Sequence, residues 1–67
     1  MTDRILVSFL SDGYVIVTDI MHPSLVPHIG EYVEYDVSGT FFMGTVTKVI
    51  RRFTVDGRRV DIRIERD

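Results

Sequence analysis

Residues 40–65 read TFFMGTVTKVIRRFTVDGRRVDIRIE, and their periodicity decides the fold. Val60, Ile62 and Ile64 are apolar at every second position, with Arg59, Asp61, Arg63 and Glu65 charged between them. A period of two puts one set on a core and the other in water, as in a half-buried strand. Asp56-Gly57 is a two-residue hairpin signal, so Thr40 to Val55 forms the preceding strand. That strand is too long to lie flat in a chain of 67 residues; it must bend and serve two sides of a barrel. Up to Val46 its even positions look inward, whereas from Val49 onward the odd positions (Val49, Phe53, Val55) do. The change of phase needs one extra residue, which predicts a β-bulge near Thr47 to Ile50, with Gly44 helping the strand turn a corner. An Asp-Gly loop of two residues pairs Phe53 with Val60 and Val49 with Ile64. On the water side it sets Arg52 against Asp61 and Lys48 against Glu65.

Upstream, Arg4 to Leu10 and Tyr14 to Ile20 read as two strands joined at Asp12-Gly13, whose residues tolerate the two positive φ angles of a type I′ turn. The register then sets Phe9 against Ile16, Val7 against Thr18 and Ile5 against Ile20, and this face is expected on the core. The opposite face carries Leu6, Ser8 and Leu10 with Val15, Val17 and Asp19, half of it apolar. A hairpin apolar on both faces needs covering on both. We predict an interface there; barrel curvature and the following loop are the alternative cover. Pro23 and Pro27 forbid a continuous element between Met21 and Gly30. Pro23 to Val26 is expected to make one short helical turn, with Leu25 and Ile29 plugging one end of the barrel. Glu31 to Val37 is the third strand, with Val33, Tyr35 and Val37 inward. A Ser38-Gly39 loop pairs Tyr35 with Phe42 and Val33 with Gly44, leaving Phe41 and Met43 outside beside Asp36 and Glu34. The expected core is thus Ile5, Val7, Phe9, Ile16, Ile20, Val33, Tyr35, Phe42, Val46, Val49, Phe53, Val60, Ile62 and Ile64.

Sixty-seven residues make one domain, and so short a chain buries only about 60% of its unfolded surface, which makes self-association a useful aid. There is no cysteine, so neither disulfides nor thiolate metal sites are available. No apolar run approaches the roughly 20 residues that span a bilayer, and no leader is visible. A soluble, cytoplasmic protein without a membrane partner is the expectation. The net charge of −2 conceals a polarity. Residues 1–47 carry six acids and one base, and residues 48–67 carry seven bases and four acids. Such polarity steers an anion to one end or lets copies dock head to tail.

The sequence carries no nucleophile elbow, Walker loop, zinc-protease helix or dinucleotide glycine pattern, and it is read as a non-enzyme without a cofactor. Glu34 and Asp36, two apart, form a carboxylate pair of the kind common on solvated strands. His22 and His28 lie six apart without metal-ligand spacing, so loop histidines are expected rather than a metal site. Two binding chemistries remain. Leu6, Leu10, Val15, Val17, Phe41 and Met43 offer an outward apolar surface for a second copy or another protein. Alternatively Arg51, Arg58, Arg59 and Arg63 hold the phosphate of a nucleotide or single-stranded nucleic acid, with Tyr32, Tyr35, Phe41 and Phe53 available to stack a base. A solvated Arg-rich hairpin accounts for the same residues without a ligand. Arg51 decides between a pocket and a hairpin that projects beyond the barrel with both faces wet.

Pro27-His28-Ile29-Gly30-Glu31-Tyr32-Val33, followed by Phe42 and the run Gly44-Thr45-Val46-Thr47-Lys48-Val49, resembles the SH3-like small β-barrels of phage and bacterial proteins. There a P-x-x-G-[DE]-x-V segment opens a strand and a later V-x-x-V strand carries the bend. The resemblance covers about half the chain. It implies an all-β, five-stranded, strongly bent antiparallel barrel used for assembly or for binding peptides and nucleic acid. By the same analogy it implies a phage accessory protein, acting in the host cytoplasm if viral. The paired-aromatic groove of Pro-peptide-binding SH3 domains is missing, and no site residue carries over.

Overall fold

The computed structural model describes residues 3–37, 39–55 and 57–67. It is all-β: β1 (Ile5–Ser11), β2 (Tyr14–Met21), β3 (Tyr32–Val37), β4 (Thr40–Thr54) and β5 (Gly57–Arg66), with one 3₁₀ turn at Pro23–Leu25. The strands form one curled sheet in the order β2-β1-β5-β4-β3. Three ladders are antiparallel, but β1 and β5 run parallel, from Leu6 opposite Arg59 to Leu10 opposite Arg63. The expected all-antiparallel barrel is therefore a mixed half-barrel. Its edges, β2 and β3, each have one neighbour.

The core lies on the concave side. Ile5, Val7 and Phe9 of β1, Phe42 and Val46 of β4, and Val60, Ile62 and Ile64 of β5 are buried, joined by Met21 and Val26. The alternation read in β5 is the alternation found. Phe9 sits at the centre, its ring centroid 4.6 Å from that of Tyr35 and 5.5 Å from that of Phe42. Between β2 and β3 the chain crosses from one edge of the sheet to the other. Val26 and Pro27 are the buried side chains of that crossing, whereas Leu25 and Ile29 are more than 60% exposed. The expected plug is thus made by the neighbouring residues, because in an irregular segment no period tells which side chain turns inward.

Bulges set the registers. Asp12 and Gly13 have φ of 53° and 82°, as the type I′ turn requires. Ser11 and Leu10 then face Tyr14 and Val15, but Phe9 faces Val17. Ile16 is the extra residue, and a slip of one residue exchanges the faces of the rest of β2. Val17, Asp19 and Met21 come to the concave side, and Ile20, expected in the core, stands 56% exposed. In β4 the bulge falls at Thr47, within the predicted window: Val46 faces Ile64 and Lys48 faces Arg63. The β3–β4 register is as read, with Tyr35 opposite Phe42 and Val33 opposite Gly44; Ser38 of that turn lies outside the described residues, as does Asp56. The β4–β5 register differs from the Asp56-Gly57 reading by two residues. Thr54 faces Gly57, so the loop begins at Val55 and Phe53 faces Arg58. A slip of two preserves the faces, but the hairpin runs past the end of the β1 ladder at Leu6–Arg59. Phe53, expected in the core, is 76% exposed for that reason.

Candidate interaction surface

The convex side of β1–β2 is built from cross-strand pairs: Leu6 with Ile20, Ser8 with Thr18, and Leu10 with Val15. Ser8 Oγ lies 3.4 Å from Thr18 Oγ1, and Ser8 is buried. Leu6, Val15 and Ile20 are exposed and Leu10 is half-buried. Of the predicted contact residues Leu6, Leu10 and Val15 are brought together here. The bulge removes Val17, which packs against the core, and puts Ile20 in the patch instead. Neither change has a signal in the sequence, because β2 alternates passably in both phases.

Phe41 and Met43 form a separate surface, on the outer face of the β3–β4 hairpin. Asp36 faces Phe41 and Glu34 faces Met43, which makes a small checkerboard of acid and apolar side chains. Tyr32 lies at its margin, its hydroxyl donating to Asp67 Oδ2 at 2.5 Å. That hydrogen bond, with burial, pushes the Tyr32 hydroxyl up to about 12.

The arginines divide between two faces of β4–β5. On the convex side Arg52 faces Arg59 and Lys48 faces Arg63. Arg52 reaches diagonally to Asp61, its Nε donating to Oδ2 at 2.6 Å. The predicted Arg52–Asp61 partnership therefore forms, though not by direct opposition, whereas Lys48 faces Arg63 rather than Glu65. On the concave side Arg51 faces Val60 and Arg58 faces Phe53. Arg51, Arg58, Arg59 and Arg63 thus do not share one face. Arg51 is exposed but lies in the row of Val60 and Val7, beside β1; only the residues past Arg52 and Arg59 project beyond the barrel.

The open seam between β2 and β3 is bridged by side chains. The Tyr35 hydroxyl donates to Asp19 Oδ2 at 2.5 Å, and Asp19 Oδ1 accepts from the Ile20 N–H at 2.8 Å. These bonds, the tyrosine's first, hold the Asp19 carboxyl below its usual 3.8, and burial followed by the same bond pushes Tyr35 up to about 12. A depressed carboxylate stabilises the fold above its unfolded value and loses that contribution as pH falls through the folded one; the raised tyrosine contributes fully below pH 10 and loses it as pH rises through about 12. Tyr35→Phe should lower the melting temperature at neutral pH, and the deficit should shrink as pH drops below 3.8. Scans of both proteins across pH check this, and a constant deficit would sink it.

The histidines have local roles. His22 Nδ1 accepts from the Ser24 N–H at 3.1 Å and caps the 3₁₀ turn, while the His28 N–H donates to Glu31 Oε1 at 3.0 Å. Among the described residues no group of three His, Asp or Glu side chains is placed to hold a metal, and no helix is long and apolar enough to cross a membrane. No protein-family model, curated protein or solved structure matches this chain.

Proposed function

We propose that this chain is a non-catalytic interaction module that self-associates and binds a macromolecular partner through the convex face of β1–β2. The observation that carries the reading is the uncovered apolar patch of Leu6, Leu10, Val15 and Ile20 at the edge of a sheet whose other face already holds the core. Leaving such a patch in water is costly for a small domain, and β2 offers unpaired backbone groups beside it for strand addition. Val15→Asp should lower the solution mass toward 7.7 kDa while leaving the β circular dichroism unchanged. Light scattering after size exclusion checks this. A wild-type protein that already runs at 7.7 kDa would overturn the reading.

A second reading rests on the convex charges. Lys48–Arg63 and Arg52–Arg59 are like-charged pairs directly across a ladder, a destabilising arrangement that an anion relieves. Asp61 answers only Arg52 within ion-pair distance among the described residues. A nucleotide or single-stranded nucleic acid on Lys48, Arg59 and Arg63 would show in the same experiment as excess absorbance at 260 nm that salt removes.

A further inference from the structure

We propose that the concave side of the β4–β5 tip docks on the outer face of the β3–β4 hairpin of a second copy, so that copies add head to tail. The proposal rests on the reading of this chain as a self-associating module, but it uses a different surface. Arg51, Phe53 and Arg58 stand together on one side of the tip, with Phe53 directly opposite Arg58. Glu34, Asp36, Phe41 and Met43 stand together on the other hairpin. Each patch joins two like charges to large exposed apolar surface, and the signs are opposite.

Placement makes the match intermolecular. The β3–β4 turn precedes Thr40 and the β4–β5 turn follows Thr54, so the patches sit at the two ends of one strand in a molecule 35 Å long. They cannot satisfy each other within one chain. Phe53 and Phe41, 76% and 54% exposed, gain cover only from another molecule. The Phe53 ring flanked by two arginines has the make-up of an interface anchor, aromatic at the centre and Arg-rich around it. Because the two surfaces differ, the contact is heterologous, and repetition gives a ring or a filament rather than a closed two-fold dimer.

The test uses proteins that also carry Val15→Asp, which silences the β1–β2 face. One further carries Arg51→Glu with Arg58→Glu, the other Glu34→Lys with Asp36→Lys. The Val15→Asp parent should show a concentration-dependent mass above 7.7 kDa. That mass should fall when salt rises from about 0.1 M to about 1 M, as the Debye length drops from about 10 Å to about 3 Å. Each charge-reversed protein alone should stay at 7.7 kDa. Their equimolar mixture should restore a mass of at least twice that value, since the intact tip meets the intact acidic face and the two reversed patches are complementary in turn. A mixture of folded variants that stays at the single-chain mass overturns the proposal. Should either reversal unfold the chain by circular dichroism, Arg51→Gln with Arg58→Gln, or Glu34→Gln with Asp36→Asn, replaces it with the same reading. A wild-type oligomer that Val15→Asp reduces fully to 7.7 kDa at every salt leaves the β1–β2 reading standing and this one overturned. A wild-type mass unmoved by Val15→Asp but dissolved by salt does the reverse.

Discussion

Phe9→Ala should cost about 3–5 kcal/mol, the range for truncating a buried phenylalanine. Phe9 is 1% exposed and packs against both Tyr35 and Phe42. Its strand lies between β2 and β5, so the cavity would open inside the ladder and not at its edge. A domain of 67 residues has a total stability of roughly 3–10 kcal/mol. The substitution therefore removes a large part of it, and much of the population should be unfolded at 37 °C. Urea unfolding checks the number through the shift in midpoint at constant slope. Phe9→Leu should recover most of the loss, because it refills the volume. A cost below about 1 kcal/mol for the alanine would mean that Tyr35 and Phe42 close over the gap, and the aromatic cluster would then not be the centre of the core.

The strands themselves were legible because strand period and turn chemistry are local. The alternation of Val60, Ile62 and Ile64, the positive φ angles at Asp12-Gly13, the pairing of Tyr35 with Phe42, and the bulge at Thr47 all follow from neighbouring residues. Three features do not. The parallel pairing of β1 with β5 joins the two ends of the chain and has no turn to announce it. The bulge at Ile16 depends on how β2 curls at the sheet edge, where Asp19 meets Tyr35. The two-residue slip of β4–β5 leaves every face unchanged, so periodicity is blind to it.

The candidate surfaces inherit these limits. Phe41 and Met43 stand where the sequence placed them, because their register hangs on a short loop. Val17 and Ile20 exchange places because theirs hangs on a bulge. Arg51, Arg58, Arg59 and Arg63 form one set in the sequence because none has an obvious cross-strand partner, whereas the pleat separates Arg51 and Arg58 from Arg59 and Arg63. That separation yields two chemically different surfaces. The convex one, with Lys48, suits a polyanion, and the concave one, with Phe53, suits an acidic patch that also carries apolar side chains.

Gly44→Ala should destabilise the chain by about 3 kcal/mol or more, at or beyond the upper end of overpacking. Gly44 and Thr45 lie where β4 passes from one partner to the other, and Gly44 faces Val33 on β3 and Arg66 on β5. A straight β4 would measure about 46 Å at the usual rise per residue, longer than the 35 Å axis of the molecule, so the strand must turn. A Cβ at Gly44 would lie 2.3 Å from the Glu65 carbonyl oxygen and 2.9 Å from Arg66 Cα. Both are backbone atoms, so no rotamer change relieves the clash, and the end of β5 has to move. With it go the Asp67 N–H bond to the Met43 carbonyl and the Tyr32–Asp67 bond. For a domain of this size the loss corresponds to a fall in melting temperature of roughly 12–24 °C. The consequence reaches function, because this bend fixes how the acidic hairpin and the arginine hairpin are directed relative to each other. In Gly44→Ala protein that remains folded at low temperature, association through the two hairpins should weaken as well. A variant within about 1 kcal/mol of wild type would show that β4 and β5 can part here at little cost. The bend would then be held by the bulge at Thr47 alone, and the direction of the arginine hairpin would be set by that one residue.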